Sequence, residues 1–206
     1  MKLYYSPGAC SLAPHIVARE AGIPIELVPV DLATHRIKGG GDYFSVNPRG
    51  YVPALELDDG TVLTEVAALV QYLADLKPAS GLAPKAGTME RVELQMWLTF
   101  ISSELHKQFS PWLWHADTAE STVRTIKDKI ATRFAELDRK LATQPYLLGD
   151  RFSVADAYAF AIVNWVNFLK MDLDGYPALA AYLARIAARP KVQEALAAER
   201  PKREAA

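Results

Sequence analysis

The 206-residue sequence has one cysteine, almost no net charge and no long uninterrupted apolar run. One cysteine excludes an intramolecular disulfide and is typical of a reducing compartment. No stretch approaches the roughly 18 apolar residues of a membrane-spanning helix. A formal net charge of −1 gives no electrostatic footprint for nucleic acid or an anionic membrane. The first residues already form a strand pattern, unlike a signal peptide, so we expect a soluble, cytoplasmic protein.

Half of the residues are hydrophobic, which is enough for a full core, and the first 76 residues alternate strand and helix patterns. The patterns predict strands at Leu3–Ser6, Glu26–Val30, Ala54–Leu57 and Thr61–Leu63, and helices at Ser11–Glu20 and Glu65–Leu76. The polar, glycine-rich stretch Ala33–Arg49 is predicted to be a loop with little regular structure. Asp58-Asp59-Gly60 marks a hairpin between the last two strands.

The composition changes after Lys77–Gly87, whose prolines and glycines are typical of a linker. Beyond it only helical periodicity remains, most clearly in the apolar stripe from Ile126 to Leu141. Ser153 and Asp156 are spaced as a capping box, a structural feature that opens a helix. Two further helices are predicted at Tyr176–Ala188 and Pro190–Ala198, and the charged tail Glu199–Ala206 is predicted to fray. The fold class is a small α/β domain followed by an all-α domain.

Cys10 lies where the first strand gives way to the first helix. A thiol at a helix N-terminus faces unpaired N–H groups and the positive end of the helix dipole, and both lower its pKa. The alternative is a small buried hydrophobe, because free cysteines are among the most buried residues. The position alone leaves both interpretations open.

Five segments in order resemble the glutathione transferases, and within them the bacterial beta class. The segments are Lys2–Leu12 with Pro14 and His15, Asn47–Leu55, Leu63–Glu65 with Val70–Asp75, Ser102–Lys107, and Tyr146–Asp156. The resemblance implies a thioredoxin-like domain at residues 1–77 that binds glutathione. It also implies an all-helical domain at residues 88–206 that contributes a hydrophobic substrate site, with the active site in the cleft between the domains. A homodimer is implied as well.

The resemblance assigns the glutathione site residue by residue. It implies a cis Val52–Pro53 bond after Tyr51, which turns the Val52 N–H and C=O outward to pair with the tripeptide backbone. Glu65 holds the ligand's amino end, and the helix that follows it receives the γ-glutamyl carboxylate. At Val66 many relatives carry serine, so only the backbone N–H remains for the ligand.

Two positions depart from the family pattern. His35 stands where relatives commonly have a lysine that contacts the glycyl carboxylate, and Arg36 is the alternative for that contact. Thr99 stands where relatives often have an asparagine that reaches the glutathione of the neighbouring subunit. Both departures concern affinity for glutathione.

The catalytic residues implied are Cys10, Ser11, His106 and Lys107, which favour the thiolate of the bound ligand over its thiol. The helical domain offers Phe109, Trp112, Trp114 and Trp165 for an apolar electrophile, although aromatics at helical spacing also form cores. Ser153, Asp156, His15 and His115 are interpreted as structural.

The predicted function is conjugation of glutathione, used as a co-substrate without a metal, to small hydrophobic electrophiles, a detoxification activity. The alternative is a thiol-disulfide oxidoreductase or reductive dehalogenase in which Cys10 itself is the nucleophile. Ala13 removes a C-x-x-C motif, so that chemistry would use one thiol. A non-enzymatic binding protein is the third possibility, which the presence of Cys10, Pro53 and Glu65 disfavours.

Overall fold

Two units divide the chain, and the C-terminal helix belongs to the first. In the computed structural model, which describes residues 1–200, the first unit is Met1–Leu82 with the segment that begins at Ala188. The second unit is Ala83–Ala187. The boundary after Leu82 lies within the predicted linker. The predicted helical domain 88–206 therefore differs from the second unit by its last helix.

The strands and helices predicted within the first 76 residues are all present, with ends displaced by at most one residue. The elements of the first unit are β1 (Lys2–Tyr5), α1 (Leu12–Glu20), β2 (Glu26–Asp31), β3 (Arg36–Ile37), β4 (Ala54–Glu56), β5 (Val62–Thr64), α2 (Val66–Leu76) and, at the other end of the chain, α9 (Pro190–Glu199). The sheet order is β3-β2-β1-β4-β5. Strands β1 and β2 are parallel, as their crossover through α1 requires, and the other pairs are antiparallel.

The segment predicted as an irregular loop, Ala33–Arg49, contains a short strand and a 3₁₀ turn. Strand β3 pairs antiparallel with the end of β2, and Tyr43–Ser45 forms the turn. The Asp42 carboxylate begins this turn by accepting from the Phe44 N–H at 3.1 Å. Tyr43 is fully buried in a cluster with Tyr4, Val30, Val52 and Ala54. Strand pairing, the Asp42 cap and the burial of Tyr43 together order a stretch whose composition is that of a loop.

The second unit is built from helices joined by turns. Its helices are α3 (Met89–Phe100), α4 (Lys107–Phe109), α5 (Glu120–Leu141), α6 (Val154–Val163), α7 (Trp165–Leu169) and α8 (Pro177–Ala187). A π-helical segment, Ile101–His106, connects α3 to α4. The predicted capping box at the start of α6 is confirmed, since the Asp156 carboxylate accepts from both the N–H and the hydroxyl of Ser153 at 2.8 Å.

Helix α9 packs against α1, so it joins the first unit rather than the helical one. At its start the Arg189 guanidinium donates to the Glu20 carboxylate at 2.7 and 2.9 Å. At its end Glu199 is buried against His15. The prediction of a frayed tail from Glu199 is therefore wrong at that residue. Residues 201–206 lie outside the described part of the chain.

Candidate active site

Cys10 lies in the turn between β1 and α1, two residues before the helix begins. Its side chain is 8% exposed, and its Sγ donates to the Val52 carbonyl oxygen at 3.3 Å. The structure therefore places the only cysteine of the chain against the Val52 backbone.

The pairing of three strands brings the predicted glutathione segments to one edge of the sheet, the edge formed by the ends of its strands. Tyr4 of β1 is paired with Ala54 of β4, and Ala54 is paired with Thr64 of β5. Both pairings are antiparallel, so the chain leaves β1, enters β4 and leaves β5 at the same edge. Cys10 follows β1, Val52 precedes β4 and Glu65 follows β5, so the three segments converge at this edge.

Val52 sits in the segment that enters β4, and its peptide bond to Pro53 is cis. The Val52 side chain is buried, and within residues 1–200 its backbone N–H has no hydrogen-bond partner. The preceding Tyr51 carbonyl accepts from the Tyr43 hydroxyl at 2.8 Å and from Asn47 Nδ2 at 2.7 Å, while the Tyr51 side chain is exposed. This loop thus holds the Val52 N–H unpaired beside the thiol.

Glu65 precedes α2 with a backbone φ of +68°, a value that non-glycine residues rarely adopt. Its side chain makes no capping hydrogen bond to the helix. The exposed carboxylate instead accepts from Arg49 Nη1 at 3.0 Å. Exposed ion pairs contribute little to stability, so the Glu65 carboxylate can exchange Arg49 for another cation. The Val66 side chain is buried.

Ser11 is fully buried, and its hydroxyl serves the backbone of the same turn. It accepts from the Ser6 N–H at 3.2 Å and donates to the Ser6 carbonyl at 3.3 Å. Ser11 is predicted to be catalytic, but its hydroxyl is engaged in hydrogen bonds within the Cys10 turn. Its observed contacts shape that turn.

His35 has a positive φ of +52°, and its ring packs against Phe44 with the ring centres 4.5 Å apart. The Nδ1 atom is buried and has no hydrogen-bond partner among the described residues. Gly50 allows this packing, because a Cβ at that position would lie 2.8 Å from the ring. Arg36, the alternative for the glycyl contact, is exposed in β3.

In the second unit, His106 is the last residue of the π-helical segment. Its Nδ1 lies 2.8 Å from the Tyr158 hydroxyl. Burial, followed by the charge of Lys107, lowers the pKa of His106 to about 4. The imidazole is therefore uncharged at neutral pH and can serve only through hydrogen bonds. Lys107 is exposed.

The four predicted aromatic residues of the hydrophobic site differ in accessibility. Phe109 is fully buried between Phe134 and Trp165, so it has no surface to offer a ligand. Trp165 is itself nearly buried, with its ring edge-on to Trp114 and His106. Trp112 and Trp114 keep almost half of their surface exposed. The prediction for Phe109 is corrected to a core residue that supports Trp165.

Thr99 lies in the last turn of α3 and is exposed. Its carbonyl accepts from the hydroxyls of Ser102 and Ser103, both at 2.9 Å. These contacts involve its backbone, so the predicted contact of its side chain with a neighbouring subunit's ligand stays a prediction.

Comparison with known proteins agrees with this geometry. Residues 8–76 match the glutathione S-transferase N-terminal domain, and residues 100–190 match the glutathione S-transferase C-terminal domain. An Escherichia coli O157:H7 protein named glutathione S-transferase GstA is 45% identical over 97% of this chain and 98% of the relative. The chain belongs to the glutathione S-transferase family.

Two solved structures place this family member among bacterial enzymes. A sphingomonad glutathione S-transferase in complex with glutathione is 46% identical, with a TM-score of 0.92 over 97% of this chain and 98% of that one. A beta-class glutathione S-transferase from Sphingomonas chungbukensis is 45% identical, with a TM-score of 0.93 over 97% and 99% of the two chains. The predicted family and the predicted fold, a thioredoxin-like domain followed by helices, are confirmed.

Two residues of this transferase fold escaped the sequence analysis. Tyr158 holds His106, and Glu199 contacts the Cys10 turn through Gly8. The partners are 52 and 191 residues apart along the chain. The sequence carries no local pattern for either contact, because only the packing of distant helices creates them.

No helix within residues 1–200 is long and apolar enough to cross a bilayer. In the same range, no three His, Cys, Asp or Glu side chains are grouped so that they could hold a metal ion.

Proposed function

We propose that this protein binds glutathione and joins it, through its sulfur, to small hydrophobic electrophiles. The observation that carries the proposal is the unpaired Val52 N–H beside the Cys10 thiol. The backbone of a tripeptide can pair with the Val52 backbone as an added strand would. Glutathione supplies a cysteinyl backbone, and its sulfur then comes next to Cys10. The sphingomonad relative described above is a glutathione complex, which supports the same ligand here.

The two ends of the tripeptide have matching groups in the first unit. The first N–H groups of α2 and the dipole of that helix suit the γ-glutamyl carboxylate. The Glu65 carboxylate suits the adjacent ammonium group. His35 or Arg36 is the partner for the glycyl carboxylate.

The reaction needs a thiolate at neutral pH. Lowering a thiol pKa by two units takes about 2.7 kcal/mol, which two or three hydrogen bonds can supply. We assign these bonds to the Cys10 thiol and to His106, which acts as an uncharged donor, with Lys107 contributing charge. The thiolate then attacks the electrophilic carbon, for example of an aromatic halide. The halide leaves and the thiol proton passes to solvent.

The remaining assignments are coarser. Trp112, Trp114 and the edge of Trp165 are proposed to contact the electrophile. A homodimer is proposed because α3 exposes Met89, Val92 and Met96, three apolar residues spaced for one helix face. Thr99 follows on the same face, as its proposed role toward a neighbouring subunit requires. We infer a cytoplasmic protein that detoxifies reactive compounds.

The test is calorimetric titration of the protein with glutathione, followed by a structure of the complex. We expect glutathione along Val52 and Glu65, with its sulfur in contact with Cys10. Glu65→Gln removes the partner of the ligand's ammonium group and should weaken binding about tenfold, or 1.4 kcal/mol. Glu26→Gln removes an exposed carboxylate elsewhere in the same unit and serves as the control. Absence of binding, or a tripeptide bound elsewhere, would refute the proposal.

A further inference from the structure

The imidazole of His106 is held between two aromatic side chains, one from α6 and one from α7. Its Nδ1 lies 2.8 Å from the Tyr158 hydroxyl oxygen, and the two rings are perpendicular. The Trp165 ring lies edge-on to it, with the ring centres 5.2 Å apart. Tyr158 is 2% exposed and Trp165 is 5% exposed, so these contacts belong to the core. Nδ1 is therefore engaged inside the second unit, and Nε2 is the nitrogen left for a ligand.

The acidity of the two groups indicates which one donates the hydrogen bond. A phenol has an ordinary pKa of about 10, whereas the N–H of a neutral imidazole is far less acidic. An unprotonated imidazole nitrogen is also a much stronger base than a phenol oxygen. The stronger hydrogen bond therefore runs from the Tyr158 hydroxyl to His106 Nδ1, and the hydrogen of the neutral ring lies on Nε2. Burial, followed by the charge of Lys107, lowers the pKa of His106 to about 4, which keeps the ring neutral.

The two tautomers of His106 would act differently on a sulfur atom. With its hydrogen on Nε2, the ring donates a hydrogen bond, which favours a thiolate over a thiol. With its hydrogen on Nδ1, the ring presents a bare Nε2, which can accept a proton but cannot donate to the anion that remains. The hydrogen bond at Nδ1 thus determines the chemistry at the other nitrogen.

We propose that Tyr158 is a positioning residue, which holds His106 in the Nε2–H tautomer and so makes it a hydrogen-bond donor for a thiolate. The use of this donor by the sulfur of glutathione rests on the proposed function, whereas the tautomer does not. Tyr158 acts through the imidazole, because its own side chain is buried and its hydroxyl is bonded to Nδ1. Its removal should therefore weaken the stabilisation of the thiolate and leave the binding of the tripeptide unchanged.

Nitrogen-15 NMR of the full-length protein, labelled at histidine, measures the tautomer directly. A bare imidazole nitrogen and a protonated one resonate far apart, and His106→Gln identifies the His106 signals among those of the four histidines. In the wild type at neutral pH we expect a bare Nδ1 and a protonated Nε2. Tyr158→Phe keeps the ring and removes the hydroxyl, so the second tautomer becomes populated and the two His106 signals move toward each other.

The same variant is assayed for conjugation of glutathione to an aromatic halide. We expect the pKa of the bound glutathione thiol, followed by the ultraviolet absorbance of the thiolate, to rise by about half a unit to one unit. At neutral pH, kcat should fall about threefold to tenfold, while the KM for glutathione stays within about twofold of the wild type. In the His106→Gln background, Tyr158→Phe should lower kcat by less than about twofold, because the imidazole through which it acts is absent.

Tyr182→Phe is the matched control, because it removes another buried tyrosine hydroxyl from the second unit. That hydroxyl donates to Asp156 Oδ1 at 2.9 Å and not to His106. Both variants should lower the midpoint of thermal unfolding, since each deletes a buried hydrogen bond. Only Tyr158→Phe should move the His106 signals and the pKa of the bound thiol.

Three results would overturn the proposal. One is a wild-type His106 whose hydrogen lies on Nδ1. The second is an unchanged pair of His106 signals in Tyr158→Phe. The third is an equal change in Tyr182→Phe, or an equal fall in kcat without the imidazole. A wild-type protein without conjugation would refute the proposed function, and the NMR spectra would still decide the role of Tyr158 toward His106.

Discussion

The Cys10 side chain is the chemically most distinctive group of this protein. Its Sγ donates to the Val52 backbone carbonyl. Two mechanisms then differ in what the thiol does. It either donates a hydrogen bond to the ligand's sulfur, or it ionises and attacks a disulfide or halide itself.

Cys10→Ser separates the two mechanisms. Serine keeps a hydroxyl donor, so conjugation with an aromatic halide should fall only about tenfold, or roughly 1.4 kcal/mol. Serine cannot form a mixed disulfide, so thiol-disulfide exchange should vanish. Both rates are measured on the one variant, with Cys10→Ala as the control that lacks a donor. Equal loss of both activities in the serine variant would mean that the transferase mechanism is wrong.

His106 illustrates how burial changes a residue's chemistry. Its pKa of about 4 lies below the ordinary 6.5, so only the unfolded chain binds a proton between these values. The free energy of unfolding therefore falls as the pH is lowered from about 6.5 to about 4. The share of His106 in this fall is on the order of 3 kcal/mol.

His106→Gln should accordingly be less sensitive to acid than the wild type. The measurement is denaturant unfolding at several pH values between 7 and 4.5, compared between the two proteins. Since the carboxylates titrate alike in both, the difference isolates the histidine. His115→Gln removes an exposed histidine of the same unit. An equal effect in that variant would show that burial is not the cause.

At the scale of elements, the start of α6 shows how one side chain joins several segments. The Asp156 oxygens accept from Ser153, from the Leu147 N–H at 2.9 Å and from the Tyr182 hydroxyl at 2.9 Å. The capping box thus also ties the segment before α6 and helix α8. A fully buried carboxylate with this many donors acts as a structural residue.

Asp156→Asn keeps the size of this side chain and turns one acceptor oxygen into a donor group. Buried donors then face each other, and the free energy of unfolding should fall by about 2 to 4 kcal/mol. Chemical denaturation followed by tryptophan fluorescence measures it. Asp150→Asn changes an exposed carboxylate nearby and should stay within about 0.5 kcal/mol of the wild type. A loss as small as that control's would mean that the network contributes little.

At the scale of the whole molecule, the exposed apolar face of α3 is the observation to explain. Met89 is 70% exposed and Met96 is 66% exposed, which is unusual for residues that recur at helical spacing. A second copy of the chain would cover this face, as the proposed homodimer requires.

Met96→Lys places a charge on this face and should weaken the dimer. Sedimentation equilibrium at micromolar concentration should give twice 22.7 kDa for the wild type and a value near 22.7 kDa for the variant. Phe168→Lys alters another exposed apolar residue and should leave the mass unchanged. A wild-type mass of 22.7 kDa would refute the homodimer.

The sequence by itself determined the features that arise from neighbouring residues. The order of strands and helices, the capping box at Ser153 and the place of Cys10 before α1 all follow from local patterns. Five short segments in order were enough to predict the family and the fold. Each of these features depends on residues close together along the chain, where spacing and composition carry the information.

Only the tertiary structure decided the features that depend on distant contacts. Helix α9 joined the first unit because Glu199 meets His15, 184 residues earlier in the chain. Phe109 lies in the core, and burial lowers the pKa of His106 to about 4. Burial determines both outcomes, because packing removes the water that would stabilise a charge or leave a ring accessible. No spacing along the sequence encodes which side chains lose that water.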